Sequence, residues 1–263
     1  VCRNHQRPAR GSTSQNEAMN YQWNWAIFFQ TVPSGAETYL AWIVHGLGWT
    51  VAISLAAWII ALVLGSIAGT LRTTPHRSLR LIGHVWVEFF RNVPILLQLF
   101  LWFFVVPELL PHDLSLWVKQ EMPAKEFITA VLALGLFTSA RVAEQVRAGI
   151  ESLPRGQRNA GLAIGLTLPQ TYRFVILPMA FRIIIPPLTS EFMNAFKNSG
   201  VAYAVGVWEL IFVSRQMTEE TGGQVIESLI VPTVLYILCA YGANRLMHVI
   251  EKRTHVPGFI VAK

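Results

Sequence analysis

Residues 152–178 read SLPRGQRNAGLAIGLTLPQTYRFVILP, and this stretch determines how the rest of the chain is interpreted. Its pattern predicts a short helix that begins near Arg155. By the spacing rule for helix faces, three small side chains would share one side of it: Ala160, Ala163 and Thr167. Gly165 is expected to adopt the left-handed conformation that commonly ends a helix.

A second helix is predicted to begin at Thr167. Thr167 and Gln170 have the spacing of a capping box, and Pro169 is tolerated in the first turn of a helix. Pro178 is expected to end this second helix. The stretch therefore predicts two short helices joined at a glycine corner, outside the bilayer, with a small-residue face that fits a groove of another protein.

The chain around this loop is too apolar for an ordinary soluble domain. Of its 263 residues, 53% are hydrophobic and only 14% are charged, whereas a soluble domain carries about 25% charged residues. This composition excludes disorder, a nucleic-acid-binding arm and a typical cytosolic enzyme. The net charge of +6 is consistent with Lys and Arg on the cytoplasmic side of a membrane. We therefore predict an all-α polytopic membrane protein.

Five segments have enough apolar residues to cross a bilayer, which requires about 20 of them. The predicted spans are residues 42–69, 85–106, 127–150, 181–196 and 225–249. Basic connections follow the first, third and fifth spans, and acidic connections follow the second and fourth. By the positive-inside rule, the N-terminus lies outside and the C-terminus inside, and the loop at 152–178 is cytoplasmic. The transmembrane domain would cover residues 41–255, with a cytoplasmic tail at 256–263.

The first 18 residues do not fit this scheme. Arg3, Arg7 and Arg10 would lie on the outer side, and the segment lacks the apolar core of a signal peptide. We interpret residues 1–18 as a poorly structured extension or a mis-assigned start. The aromatic-rich residues 19–40 are predicted to form an interfacial segment.

The residue types that enzymes and metal sites need are not grouped in this sequence. Cys2 and Cys239 lie at opposite ends, and the seven histidines are scattered. The predicted spans offer no metal-binding constellation and no nucleophile with an evident base, so we expect no catalytic residue and no metal ligand. No Lys is followed by Ser or Thr, so the chain has no phosphate-binding loop for ATP.

Part of the opening stretch resembles the EAA loop of ABC importer permeases. That family has Glu-Ala-Ala, three residues, Gly, nine residues and Ile-x-Leu-Pro, and its loop docks into the ATPase subunit. The positions here, with the same spacing from Gly to Leu-Pro, are Asn159, Ala160, Gly161, Gly165, Leu177 and Pro178. Asn159 replaces the Glu and Gly161 replaces an Ala. These departures argue against an ion pair between the first position of the motif and the ATPase. They do not change the expected shape of the loop.

Other segments resemble the permeases for polar amino acids. Residues 88–98 (EFFRNVPILLQ) are similar to the second-span motif of that group, and residues 141–154 and 197–199 are similar to further segments. Residues 107–111 (PELLP) and the long outer loop after them most resemble the glutamate/aspartate importers. The likeness covers residues 19–263.

The resemblance implies a type I ABC importer permease of the bacterial inner membrane. Such a five-helix subunit pairs with a second permease subunit. The second subunit is usually a paralogue, and the alternative is an identical copy. It works with two ATPase subunits, which carry ATP and magnesium, and with a periplasmic solute-binding protein. The chain itself would carry no cofactor and bind no nucleic acid.

Charged groups at membrane depth usually face a protein interior or a water path, because their insertion costs about 2.5–3.5 kcal/mol each. An acidic amino acid carries two carboxylates, so its path should offer more cationic than anionic groups. The candidates for such a path are Arg91, Asn92, Gln98, Arg141, Glu144, Lys197 and Asn198. The alternative for some of them is local ion pairing, Glu88 with Arg91 and Arg141 with Glu144, three residues apart on a helix.

A secondary transporter or channel for a small polar or anionic solute is the main alternative function. Such a protein needs no ATPase and often contains inverted repeats. The sequence contains no convincing internal repeat, and five spans do not divide into two equal halves. A membrane-embedded enzyme is less consistent still, for the reasons given above.

Overall fold

The computed structural model describes residues 21, 23–33, 35 and 37–254. These residues form helices and connecting turns, with one isolated bridge between Thr31 and Thr38. The labelled helices are α1 Tyr39–Thr73, α2 Arg77–Asn92, α3 Ile95–Leu109, α4 Lys125–Glu151, α5 Arg155–Ala163, α6 Leu168–Val205, α7 Leu210–Glu220 and α8 Val225–Thr254. Between α3 and α4, a short helix at His112–Leu116 continues into a π-helical turn at Trp117–Glu121. The predicted extension at 1–18 and the predicted tail at 256–263 lie outside the described residues.

Four of these helices, α1, α4, α6 and α8, are long and apolar enough to cross a membrane. A fifth crossing exists only if α2 and α3 are counted together, and these two helices meet at an angle of 104°. The predicted span at 85–106 is therefore not a straight helix, because it contains a sharp bend at Pro94. Pro94 lacks an N–H and disfavours the helical conformation of the residue before it, and Val93 is accordingly extended at φ −91° and ψ 127°.

The core is built on the close packing of α1 against α4. A Cβ atom at Gly65 would lie 2.7 Å from the Ser139 carbonyl oxygen, and one at Gly69 would lie 2.5 Å from that of Ala143. Only glycine permits this approach. Small residues four apart are a common way for membrane helices to pack, because apolar side chains gain little from leaving lipid.

The helix α6 is longer than the sequence predicts at its start. Pro178 does not end the helix that begins after Thr167, so that prediction is wrong. The chain passes through a π-helical turn at Tyr172–Ile176 directly into the α-helical part Leu177–Ser199. A wider turn just before a proline accommodates its ring and its missing hydrogen bond.

The short helix α7 is held against the bundle by Glu209. Its carboxylate accepts hydrogen bonds from the backbone N–H groups of Ile211 at 3.0 Å and Phe212 at 2.9 Å, which caps the helix. The Tyr236 hydroxyl in α8 donates to the same carboxylate at 2.7 Å. Burial raises the pKa of Glu209 to about 7, while these hydrogen bonds act in the opposite direction.

The described part of the predicted interfacial segment contains a 3-10 turn at Trp25–Phe29. Ile27 and Phe28 are buried against α1 and α7, whereas Trp23, Trp25 and Phe29 are exposed. The division of the chain at residues 18, 40 and 255 stays a prediction.

Candidate functional site

The turn between α5 and α6 is closed by local hydrogen bonds. Gly165 has φ +91°, as predicted, and lies just beyond the end of α5. The Leu166 N–H donates to the Gly161 carbonyl at 3.2 Å, and the Gly165 N–H donates to the Leu162 carbonyl at 3.1 Å. This pair of bonds is the Schellman motif, in which a left-handed residue satisfies the last carbonyls of a helix.

The start of α6 is capped as the sequence predicts. The Gln170 side-chain oxygen accepts a hydrogen bond from the Thr167 backbone N–H at 2.8 Å. In a capping box, the side chain of the third helical residue accepts a hydrogen bond from the backbone N–H of the capping residue, and Gln170 does this for Thr167. The free backbone groups at the end of α5 and at the start of α6 therefore both find hydrogen-bond partners within the same short stretch. These hydrogen bonds fix the angle between α5 and α6.

The tip of this corner is small and apolar. Ala160 and Ala163 are exposed, and Ile164 is 77% exposed. Thr167 does not share a helix face with the alanines, because it caps α6 beyond the end of α5, and that part of the prediction is wrong. The corner thus presents a short apolar tip rather than a continuous small-residue face.

The six residues predicted to couple to an ATPase divide into two groups. Asn159, Ala160 and Gly165 lie on the exposed surface of the corner. Gly161 is buried where α5 meets the start of α6, and a Cβ atom there would lie 2.7 Å from the Thr171 Cγ2. Leu177 and Pro178 lie further along α6, and Leu177 is half-buried against the core.

Tyr172 joins the corner to the rest of the bundle, although it is not among the residues predicted from the sequence. Its hydroxyl donates to the Thr73 carbonyl at the end of α1 at 2.8 Å, and its ring is buried. Ile176 and Leu153 are buried in the same apolar cluster. No signal in the sequence marks this tyrosine, because its partner lies 99 positions away.

The Glu144 carboxylate in α4 binds three arginines. Arg72 at the end of α1 donates to it at 2.7 Å, Arg91 at the end of α2 at 3.1 Å, and Arg147 at 3.2 Å. One carboxylate therefore links α1, α2 and α4. The Arg72 side chain is only 10% exposed. Its ion pair with Glu144 therefore compensates for the hydration that the buried guanidinium has lost.

The two local ion pairs considered as an alternative do not form. Glu88 accepts a hydrogen bond from Asn92 at 2.8 Å instead of pairing with Arg91. Arg141 lies 3.9 Å from Glu191 in α6 instead of pairing with Glu144. The spacing rule considers only one helix, whereas here neighbouring helices supply the partners.

The remaining predicted path residues are dispersed. Gln98 is buried and its amide donates to the carbonyls of Phe90 at 2.8 Å and Val93 at 2.9 Å, so it closes the break between α2 and α3. Lys197 is exposed, with no carboxylate within 4.0 Å among the described residues, and Asn198 lines a small crevice between α1, α3, α4 and α6. The structure does not gather the seven residues into one pocket.

The chain is similar to known permeases over most of its length. Residues 61–256 match the family described as binding-protein-dependent transport system inner membrane component. The chain belongs to this family, the permease subunits of ABC importers, and has the all-helical type I importer fold. It is a multi-pass membrane protein, and the match favours an ABC permease over a secondary transporter or channel.

Among the proteins similar to this chain are permeases for amino acids. The chain is 47% identical to the glutamate/aspartate import permease protein GltJ of Escherichia coli (strain K12), over 91% of this chain and 98% of the relative. It is 28% identical to GltK of Escherichia coli O6:H1, over 89% and 99%. A crystal structure of an amino acid ABC transporter with histidines matches with TM-score 0.69 and 26% identity, over 82% of this chain and 95% of that one. The inward-facing MetNI methionine transporter shares the fold, with TM-score 0.69 and 20% identity, over 84% and 100%.

Proposed function

We propose that this chain is the permease subunit of an ATP-driven importer for glutamate and aspartate, and that the corner at Gly165 is its contact with the ATPase. The observation that carries the coupling role is the exposed apolar tip around Ile164 on a corner whose angle is fixed by its own hydrogen bonds. The substrate class is supported by the 47% identity to a glutamate/aspartate import permease.

The proposed mechanism moves the corner as a rigid body. The helix α5 follows α4 directly and leads into α6, while Tyr172 holds the start of α6 to the end of α1. A push on the tip therefore reaches three membrane helices through packed contacts rather than through a slack linker. Movement of the ATPases during the ATP cycle would tilt these helices between inward-open and outward-open arrangements.

The proposed assembly contains a second permease subunit, two ATPase subunits that bind ATP and magnesium, and a periplasmic binding protein. Two paralogous relatives, GltJ and GltK, support a pair of unlike permeases, and an identical pair is the alternative. In the proposed orientation the N-terminus is outside and the C-terminus inside, and α3, which the chain enters from α2, supplies the second of five crossings of the bacterial inner membrane. The corner is then cytoplasmic.

The proposed substrate path follows the side of α4 and α6 that carries the charged groups. Arg91 with Glu144 lies at one end, Arg141 with Glu191 comes next, and Lys197 lies about 9 Å beyond Glu191 along α6. One oxygen of Glu191 is buried and has no hydrogen-bond partner among the described residues. Cations outnumber carboxylates along this row, which suits a dicarboxylic amino acid.

Replacing Ile164 tests the coupling role. Ile164→Glu should lower glutamate uptake and glutamate-stimulated ATP hydrolysis by roughly tenfold or more, because a charge replaces a desolvated contact. The matched control is Leu109→Glu, since Leu109 is 78% exposed but lies at the end of α3. Both variants should insert normally. Full uptake and ATPase co-purification with Ile164→Glu would remove the corner from the mechanism.

The path is tested by the substrate dependence of an Arg141 variant. Arg141→Gln, assayed in proteoliposomes with the complete transporter, should reduce aspartate uptake several-fold more than glutamine uptake. Equal loss for both amino acids would assign Arg141 a purely structural role.

A further inference from the structure

A large basic cavity lies beside the Gly165 corner and is not used by the proposed coupling. Its volume is about 940 Å³, it is open on one side, and it is lined by the end of α1, the start of α2, the end of α4 and the starts of α5 and α6. Its basic lining residues are Arg72, Arg77, Arg80, His84, Arg147 and Arg158.

The charges in this cavity are only partly compensated. Arg72 and Arg147 pair with Glu144, and Arg147 also pairs with Glu151. By contrast, no carboxylate lies within 4.0 Å of Arg77, Arg80 or Arg158 among the residues that the structure describes. Guanidinium groups gathered around one cavity repel each other and favour an anion that offers several acceptor oxygens, such as a phosphate group.

The helix α2 has three distinct sides. Gly83, Val87 and Phe90 are buried against the bundle. The basic residues Arg77, Arg80 and His84 line the cavity. On the third side an apolar stripe is more than half exposed, and it consists of Ile82, Val85 and Phe89.

This arrangement is typical of a helix that lies at a membrane surface, with one side toward acyl chains and another toward headgroups. Its 104° angle to α3 is consistent with that position. A ligand that occupies the cavity and also contacts the apolar stripe must therefore have a charged head and a hydrocarbon tail. A free phosphate ion would leave the stripe uncovered.

We propose that this cavity binds the phosphate headgroup of an anionic phospholipid, whose acyl chains lie along the exposed apolar side of α2. Basic pockets between helices on the cytoplasmic side are a recognised way to hold such lipids. The cytoplasmic position rests on the orientation given under the proposed function. The lipid then fills the space between α1, α2 and the corner, and so forms part of the surface that moves with it.

Native mass spectrometry of the complete transporter tests this site. Delipidated transporter is incubated with phosphatidylglycerol or with phosphatidylcholine of the same chains, and bound lipid is counted after detergent removal. Wild type should retain phosphatidylglycerol at least tenfold better than phosphatidylcholine. The variant Arg77→Gln/Arg80→Gln/Arg158→Gln should lose this preference. The control Arg182→Gln/Arg215→Gln/Arg245→Gln, with three exposed arginines outside the cavity, should keep it.

Further measurements distinguish a lipid from other occupants of the cavity. Displacement of the lipid by millimolar glycerol phosphate would overturn the proposal in favour of a soluble phosphate, and so would equal loss in the control variant. Lipid held by the permease pair but not by the complete transporter would mean that a partner protein covers the cavity, which also overturns it. If the triple variant fails to fold, Arg158→Gln alone should reduce the preference several-fold.

The lipid count and the transport assay give separate answers. Wild type that takes up glutamate without any preference for phosphatidylglycerol would overturn the lipid site alone. Wild type that retains the lipid but shows no ATP-driven uptake would overturn the proposed function and leave the lipid site standing.

Discussion

Two of the sharp turns between helices, at Gly165 and at Val93-Pro94, are built differently. At Gly165 the turn is exposed and closed by backbone bonds and by Gln170, all within one short stretch. At Val93-Pro94 the break is closed by a single buried side chain, Gln98, which bonds two carbonyls of the preceding segment. Both turns use a glutamine amide to satisfy the backbone, but only one of them is accessible to water.

The difference follows from the solvent around each turn. An exposed N–H or carbonyl that loses its partner bonds to water at little cost, whereas a buried one loses most of that interaction. Inside a membrane, broken helices persist only where neighbouring groups satisfy the freed backbone. The break at Pro94 therefore depends on one residue, while the corner at Gly165 depends on backbone conformation.

The largest expected effect is that of removing the buried amide. Gln98→Leu should lower the free energy of unfolding by about 2–4 kcal/mol, because the Phe90 and Val93 carbonyls lose their donor. The loss is partly offset because the buried Gln98 oxygen has no partner among the described residues. Gln170→Leu is the matched control at the exposed corner and should cost under about 1 kcal/mol. Thermal unfolding of the purified transporter measures both.

Equal destabilisation by the two leucine variants would contradict this distinction between buried and exposed turns. So would a Gln98→Leu protein as stable as wild type, since it would show that water or another group reaches the break.

The features that were predicted correctly are those specified by neighbours in the sequence. The left-handed Gly165, the cap at Thr167 and the helix starting at Arg155 depend on a few consecutive residues, so local rules suffice. The apolar spans are also local, because their length and composition decide whether they can cross a membrane.

The features that were missed depend on contacts between distant segments. The partners of Glu144 come from three helices, and only the bundle brings Arg72 and Arg91 to it. Pro94 marks an interruption in the sequence, but the 104° angle is set by how α2 packs on α1 and α4. Likewise, Pro178 follows a π-helical turn whose presence no local pattern indicates.

A smaller effect is expected from changing the backbone conformation at the exposed corner. Gly165→Val should cost about 1–2 kcal/mol, because φ +91° is strained for a β-branched residue although no atom lies within 4 Å of the added Cβ. That energy corresponds to roughly a tenfold fall in the ratio of the correct corner to its alternatives. We expect glutamate uptake to fall by up to that factor while insertion is unchanged.

Two further variants make this measurement specific to the backbone. Gly156→Val adds the same side chain in α5, at a glycine that also has no atom within 4 Å but is not left-handed, and it should leave uptake nearly intact. Gly165→Asn should be intermediate, since Asn tolerates the left-handed region. Wild-type uptake by Gly165→Val would mean that the angle of the corner does not matter for transport.

The smallest effect, and the one that changes sign, is expected at Gly161. Gly161→Ala places a Cβ 2.7 Å from the Thr171 Cγ2, so it should destabilise the corner by up to about 1 kcal/mol despite the better helix propensity of Ala. Thr171→Ser removes that methyl group but keeps the hydroxyl that donates to the Thr167 carbonyl at 3.0 Å. In the Thr171→Ser background, Gly161→Ala should therefore become neutral or stabilising.

A double-mutant cycle on thermal stability and uptake measures this coupling directly, because each single variant alters one side of the same contact. If Gly161→Ala has the same effect with and without Thr171→Ser, the glycine is not required by the approach of α5 to α6. If the sign reverses, the corner tolerates alanine at this position whenever its neighbour is small. The geometry of the exposed turn would then be set by packing at its base as well as by the conformation of Gly165.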